Sequence, residues 1–487
     1  MGAFAGRMWT AGWITSLTFD DSKSYRVFVW LMLVTIGLLL AWVTGRLEPN
    51  LVPDSASYLE FPFHSLDAAC RSIRTPGYPI WLRLVIGLGG LSFVPACQVV
   101  LHATAVFLLV TELRRWSMPW WPLVAIATAV AIGCTPMDHI STISTDAVAA
   151  SLGVITVSLM LRWSRLDGPF RFSILVAIVA AITIMVRPAY LFLIPWLVVA
   201  GWLLRASVVI RTAKHRRDHA AIHSKGRRKD GGTLSDHGAM IRSGLVLAGL
   251  TLVPILGWML LRLSVTGDFG MLPFGHQNLA GVLVQLVTDD ELQSIRGESS
   301  DLAKEIVREK TRLAQTGHTF AAGEPGATMT IDARWDDMTY FVVIPAAERL
   351  VPSDRIAQHN EIARLNKRII RMWPMRYALW LAKAVRRGAW AIAVDIVMHP
   401  IFLLVILSTM AIVLLRCLTG PVLGTVEFPQ PSMTALAIVT LTYLIMKVGF
   451  VVLTSPPIGR FSDAAAIFLP AWFMAMWVCW LRTPTSH

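Results

Sequence analysis

Apolar residues fill ten stretches of the chain with few interruptions: 27–45, 93–112, 119–136, 147–162, 172–187, 189–204, 244–263, 396–416, 433–454 and 464–481. A helix crosses the bilayer core in about 20 such residues, so the pattern predicts an all-α polytopic membrane protein with about ten transmembrane helices. The 172–204 pair breaks at Arg187-Pro188, where proline disfavours helix at the preceding residue, and a sharply turned or re-entrant pair is expected. No signal-peptide cleavage pattern precedes 27–45, which reads as a retained anchor. The polar intervals divide the chain into a membrane module 1–204, a basic loop 205–243, a single span 244–263, an outer region 264–395 and terminal spans 396–487. Within the outer region, Leu292, Ile295, Leu302, Ile306 and Leu313 recur at helical spacing, as do Ile362, Leu365, Ile369 and Trp373. These predict amphipathic helices outside the bilayer, and Trp373-Pro374-Met375-Arg376-Tyr377 opens a helix expected to lie along the interface.

Composition agrees with the pattern: 55% hydrophobic and 15% charged, against ~25% charged in soluble domains. The net charge of +13 is not gathered into a nucleic-acid groove but sits between spans. With the N-terminus in the cytoplasm, Arg7, Lys23, Arg26, Arg114, Arg115, Arg162, Arg165, Arg171 and the run 205–242 all fall inside, while the loop 137–146 carries no Lys or Arg. The 205–243 segment, with Gly231-Gly232, reads as a flexible cytoplasmic linker able to touch anionic lipid. The five cysteines lie mostly in apolar spans without paired spacing and read as packing residues.

Chemistry concentrates in the outer loops. Asp54-Ser55-Ala56-Ser57-Tyr58 follows the first span, and Arg74-Thr75-Pro76-Gly77-Tyr78-Pro79 closes the same loop. A carboxylate at an apolar boundary holds its proton more tightly, as a general base requires; Pro53-Asp54-Ser55 equally fits a helix start with Asp54 as its cap. Asp146 opens the span at 147, where it either complements the helix dipole or, with Asp54, binds a divalent ion or divides base and orienting roles. Arg460, in the last outer loop, suits a phosphate, and equally an interfacial snorkelling role. Lys447 lies inside a span, where a charge marks a functional site or a pair with an acid such as Asp395; Arg187 belongs with it. There is no phosphate-binding glycine loop, zinc-protease helix or serine elbow, so soluble nucleotide chemistry is not expected.

In their order and sidedness these elements resemble the GT-C superfamily of polytopic glycosyltransferases: the acid after the first span, Arg-x-Pro-Gly-Tyr-Pro, Thr145-Asp146, Arg187-Pro188, Trp-Pro-x-Arg-Tyr and Gly459-Arg460-Phe461. The similarity is nearest to the family 39 branch, with protein O-mannosyltransferases and aminoarabinose transferases. It covers most of 27–205 and, more loosely, 370–475. The resemblance implies an inverting transfer of sugar from a polyprenyl-phosphate donor to a hydroxyl acceptor on the extracytoplasmic face of the inner membrane. Asp54 would be the base, and Arg460, with Arg74 or Lys447, would stabilise the leaving phosphate. Asp146 would orient the sugar or a divalent ion, and Tyr58 and Tyr78 would line the sugar pocket. Two departures from the family pattern are Ser55, where a second acid is common, and Phe461, where tyrosine is frequent. A transporter or flippase of lipid-linked sugars, or an envelope polymerase or ligase, is the alternative expectation.

Overall fold

The computed structural model describes residues 23–223, 233–318, 328–398, parts of 402–414, 430–457 and 463–481. All regular structure among them is helical, apart from one isolated parallel bridge between Asn50 and Thr142. In the membrane part the helices are α1 (Lys23–Val43), α2 (Ser55–Leu59), α3 (Leu66–Arg71), α4 (Gly77–Gly89), α5 (Val94–Arg115), α6 (Trp120–Ala131), α7 (Cys134–His139), α8 (Thr145–Arg165), α9 (Phe170–Val186), α10 (Leu193–His223) and α11 (Thr233–Thr266). Among the described residues seven helices are long and apolar enough to cross a membrane, including α1, α8 and the later helix Gln430–Thr454, so the chain is a multi-pass membrane protein. Two further expected spans, 172–187 and 464–481, form shorter apolar helices; 396–416 lies mostly outside the described residues.

Helix α8 is the axis of the bundle. Ala147, Ala149, Ala150 and Gly153 are small enough to let α5, α9 and α10 pack closely around it, as small residues do where lipid supplies no hydrophobic drive. By contrast α1 buries only Ala41 and turns Phe28, Leu31, Ile36, Leu39 and Trp42 outward, as a lipid-facing helix must. The C-terminal ends of α5 and α8 meet in one ionic cluster, where Glu112 accepts from Arg115 at 2.6 Å and Arg165 at 3.3 Å. The arginine-rich helix ends and the Asp146 end therefore lie at opposite poles of the same helices.

The described parts of the segment 205–243 differ from the flexible linker expected of it. Helix α10 continues through its basic run to His223, and α11 begins at Thr233. Ala, Arg and Lys are good helix formers, and the first glycine after 205 is Gly226, so nothing in the run to His223 stops the helix.

The region expected outside the bilayer forms its own helical unit: α12 (His276–Leu283), α13 (Asp289–Gln293), α14 (Ser300–Gln315), α15 (Thr328–Asp336), a π-helical turn Asp337–Val343, α16 (Ile344–Leu350) and α17 (Arg355–Met372). The helical periodicity expected over 289–315 is real but interrupted at Gly297, whose φ of +85° favours a residue without Cβ. Leu283, Leu292, Leu302, Ile306, Ile362 and Ile369 share one core. From this unit α18 (Pro374–Met398) runs back to the bundle, packing Trp380 and Ala384 against Val448 and Val452 of Gln430–Thr454 and leaving Leu379 and Trp390 exposed.

Candidate functional site

Two loops distant in sequence are zipped together at the pole opposite the arginine cluster. Asn50 N–H donates to Ser141 O at 2.8 Å, Ile143 N–H donates to Asn50 O at 2.9 Å, and Ser55 Oγ donates to Ile143 O at 2.8 Å. The buried Gln98 amide, on α5, donates to the carbonyls of Ile140 and Thr142. The loop after α1 is thereby fixed beside the start of α8, so Asp54 and Asp146 belong to one locality.

Asp54 occupies the N-cap position of α2 but its carboxylate makes no cap bond. It pairs instead with Arg74, whose Nη2 donates to Asp54 Oδ1 at 2.7 Å while its Nε donates to Ser57 Oγ at 2.8 Å. The helix start read at Pro53-Asp54-Ser55 is present, but the Asp54 carboxylate does not cap it. The Arg74 guanidinium lies 4.5 Å from the centroid of the Tyr58 ring, and Tyr58 meets Tyr78 edge-on at 4.9 Å. Trp81, one turn along α4, stacks on Tyr78 at 5.5 Å.

Gly77 sits so tightly against the backbone of Met185 and Val186 that a Cβ has no room. This close approach carries Tyr78 to the end of α9, where the chain turns extended at Arg187 before Pro188, as the sequence predicts. Arg187 pairs with Asp146, and Ser144 Oγ donates to the other carboxylate oxygen at 2.9 Å. Burial separates the two pairs: the Asp54 and Arg74 side chains are 29% and 19% exposed, those of Asp146 and Arg187 only 2% and 12%. The first pair is at the more open mouth of this locality and the second is inside.

Burial pushes the Tyr58 phenol above its ordinary value; Arg74 and Arg187 oppose this, and Asp54 and Asp146 add to it. All four charges thus act on one ring. Burial raises the Tyr78 phenol as well, and its hydroxyl makes no hydrogen bond. Deeper, Lys447 is buried with its ammonium 4.1 Å from the centroid of the Tyr190 ring and 5.6 Å from that of Phe192. Tyr443 stands edge-on to Phe192 at 4.9 Å.

Of the residues expected from sequence, the structure gathers Asp54, Tyr58, Arg74, Tyr78, Asp146 and Arg187 and sets Lys447 behind them against Tyr190. Arg460 and the side chain of Asp395 lie outside the described residues. The sequence reading missed Ser57, Ser144, Trp81, Tyr190 and Tyr443. A signal for the last two was available, because four of only seven tyrosines collect here and Tyr443 precedes Lys447 by one helical turn.

The two acids suggested for a divalent ion each hold an arginine, and among the described residues no group of three His, Cys, Asp or Glu side chains is placed to hold a metal. The donor set does not fit a metal centre. What the arrangement offers is a partly hydrated carboxylate held by a guanidinium, above a buried guanidinium and an ammonium. Compared with protein-family models, curated proteins and solved structures, the chain matches none.

Proposed function

We propose that this protein is an inverting glycosyltransferase of GT-C type, with about ten spans in the inner membrane and its site on the extracytoplasmic face. It moves a sugar from a polyprenyl-phosphate donor to a hydroxyl of an envelope lipid, glycan or protein. Asp54 takes the proton of the acceptor hydroxyl, whose oxygen bonds to the anomeric carbon from the face opposite the phosphate. The bond from that carbon to the phosphate oxygen breaks, and polyprenyl phosphate leaves with the electron pair. Fixed cations stabilise the charge that develops there, the contribution that usually dominates catalysis. Arg187 and Lys447 serve this purpose together with Arg460, while Arg74 orients the base and Tyr58 and Tyr78 line the sugar site.

The observation that carries this reading is the Asp54–Arg74 pair at the mouth, with Arg74 over the Tyr58 ring, Tyr78 edge-on to Tyr58, and the Asp146–Arg187 pair in the same locality. A base open to water, next to aromatic faces and buried cations, matches an incoming hydroxyl, a sugar and a phosphate in turn. The test is mass spectrometry of envelope lipids, glycans and glycoproteins from cells lacking the gene, restored with wild type or Asp54→Asn. A hexose or pentose lost from a defined carrier, and restored by wild type alone, is the expected outcome. Full restoration by Asp54→Asn would remove Asp54 as the base.

A further inference from the structure

Arg262, near the end of α11, is fully buried, and each of its three guanidinium nitrogens is used. Nε donates to Cys70 O at 2.8 Å, Nη2 to Asp268 Oδ2 at 2.8 Å, and Nη1 to Gly270 O. Three parts of the chain meet on this one side chain. Cys70 lies in the last turn of α3, which packs on α11, and Ser72 just beyond accepts from the Arg74 backbone N–H at 3.1 Å. Asp268 and Gly270 lie on the segment leading into α12, where the His276 ring lies tilted against that of His359 of α17 at 4.6 Å. The planar fork of a guanidinium bonds two carbonyls and a carboxylate in fixed directions, which a lysine cannot reproduce. Arg262 holds Cys70 through the carbonyl and so adds a directed bond to the packing of α3 on α11.

We propose that Arg262 is a positioning residue for the Asp54–Arg74 pair and the route by which the outer helical unit acts on that pair. By fixing the C-terminal end of α3 it sets where the Ser72–Arg74 lead begins, and so where the Arg74 guanidinium meets Asp54. A shift of the 268–276 segment is carried through Arg262 to Cys70 and from there to Arg74. The inference rests on the proposed function only in taking Asp54–Arg74 as the working pair, and its test needs no sugar substrate.

The test is phenylglyoxal labelling of arginines, read by mass spectrometry on the purified full-length protein in detergent micelles. Arg262→Met should raise the labelling rate of Arg74 on the order of five-fold through local opening of the loop. Arg71, already 49% exposed, and Arg165 at the opposite pole should keep their rates. Asp268→Asn, which leaves both carbonyl bonds in place, should raise Arg74 labelling less than about two-fold. Arg262→Lys, which keeps the charge without the fork, should fall between them, and Asp54→Asn provides the reference for loss of the carboxylate partner. An unchanged Arg74 rate in folded Arg262→Met overturns the proposal, as does an equal rise at Arg71, Arg74 and Arg165, which would mean general loosening. If Arg262→Met does not fold, equal Arg74 rates in Arg262→Lys and Asp268→Asn overturn it. A failed sugar-transfer test would leave these labelling rates unaltered, so the two ideas fail separately.

Discussion

Two ion pairs of the same chemistry but different burial should respond differently to the same substitution. Asp146 and Arg187 are 2% and 12% exposed, so Asp146→Asn takes the carboxylate from a guanidinium where little water reaches it, at a cost of about 3–5 kcal/mol. Asp54 and Arg74 are 29% and 19% exposed, and water can replace the lost partner, so Asp54→Asn should cost about 1 kcal/mol or less. Thermal unfolding in micelles, followed by intrinsic fluorescence, should show an apparent midpoint lowered by roughly 3–5 °C in Asp146→Asn and by about 1 °C or less in Asp54→Asn, because a 487-residue chain has an unfolding entropy of about 1 kcal/mol/K. Removing both inner charges together, as Asp146→Leu with Arg187→Met, should recover most of the loss, because the penalty lies in the unmatched charge and not in the absence of the pair. Sugar transfer should be abolished in the double variant despite its stability. Equal midpoints for the two Asp→Asn variants, or a larger loss at Asp54, would refute the assignment of mouth and interior.

Other consequences follow from single contacts. A Cβ built at Gly153 lies 2.6 Å from the Tyr443 hydroxyl and 3.0 Å from the Tyr190 ring, so Gly153→Ala should destabilise by about 1–2 kcal/mol although alanine favours helix; Tyr443→Phe in the same chain should reverse only the part due to the hydroxyl in a thermal double-mutant cycle. Burial, then its partner His276, lowers His359 from 6.5 to about 4, so the unfolded chain binds the proton first as pH falls. The stability contributed by a neutral His359 is therefore complete above 6.5 and lost between 6.5 and about 4, a change of roughly 3 kcal/mol; His359→Gln should flatten hydrogen-exchange protection of 276–283 and 355–372 over that range. Arg376 bonds Glu291 through two nitrogens at 2.7 and 2.8 Å, but both side chains are partly hydrated, so Arg376→Ala should cost no more than about 1 kcal/mol by thermal unfolding, and less at high salt.

What the chain determined by itself was local. Hydropathy and run length marked the spans because crossing hydrocarbon constrains each helix separately. Proline 188 fixed the break at Arg187 through sterics with its neighbour alone, and the spacing of Ile362, Leu365 and Ile369 fixed the buried face of α17. The reach of helix into 205–243 was hidden, since a basic polar run of good helix formers reads as either linker or helix. Tertiary structure alone decided the partners. Asp54 finds Arg74 20 residues on, Asp146 finds Arg187 41 residues on, and Arg262 reaches back 192 residues to Cys70. Those meetings depend on which helix ends come together, and that is set by close packing around α8 and at Gly77, where small residues permit approach but carry no record of what will approach.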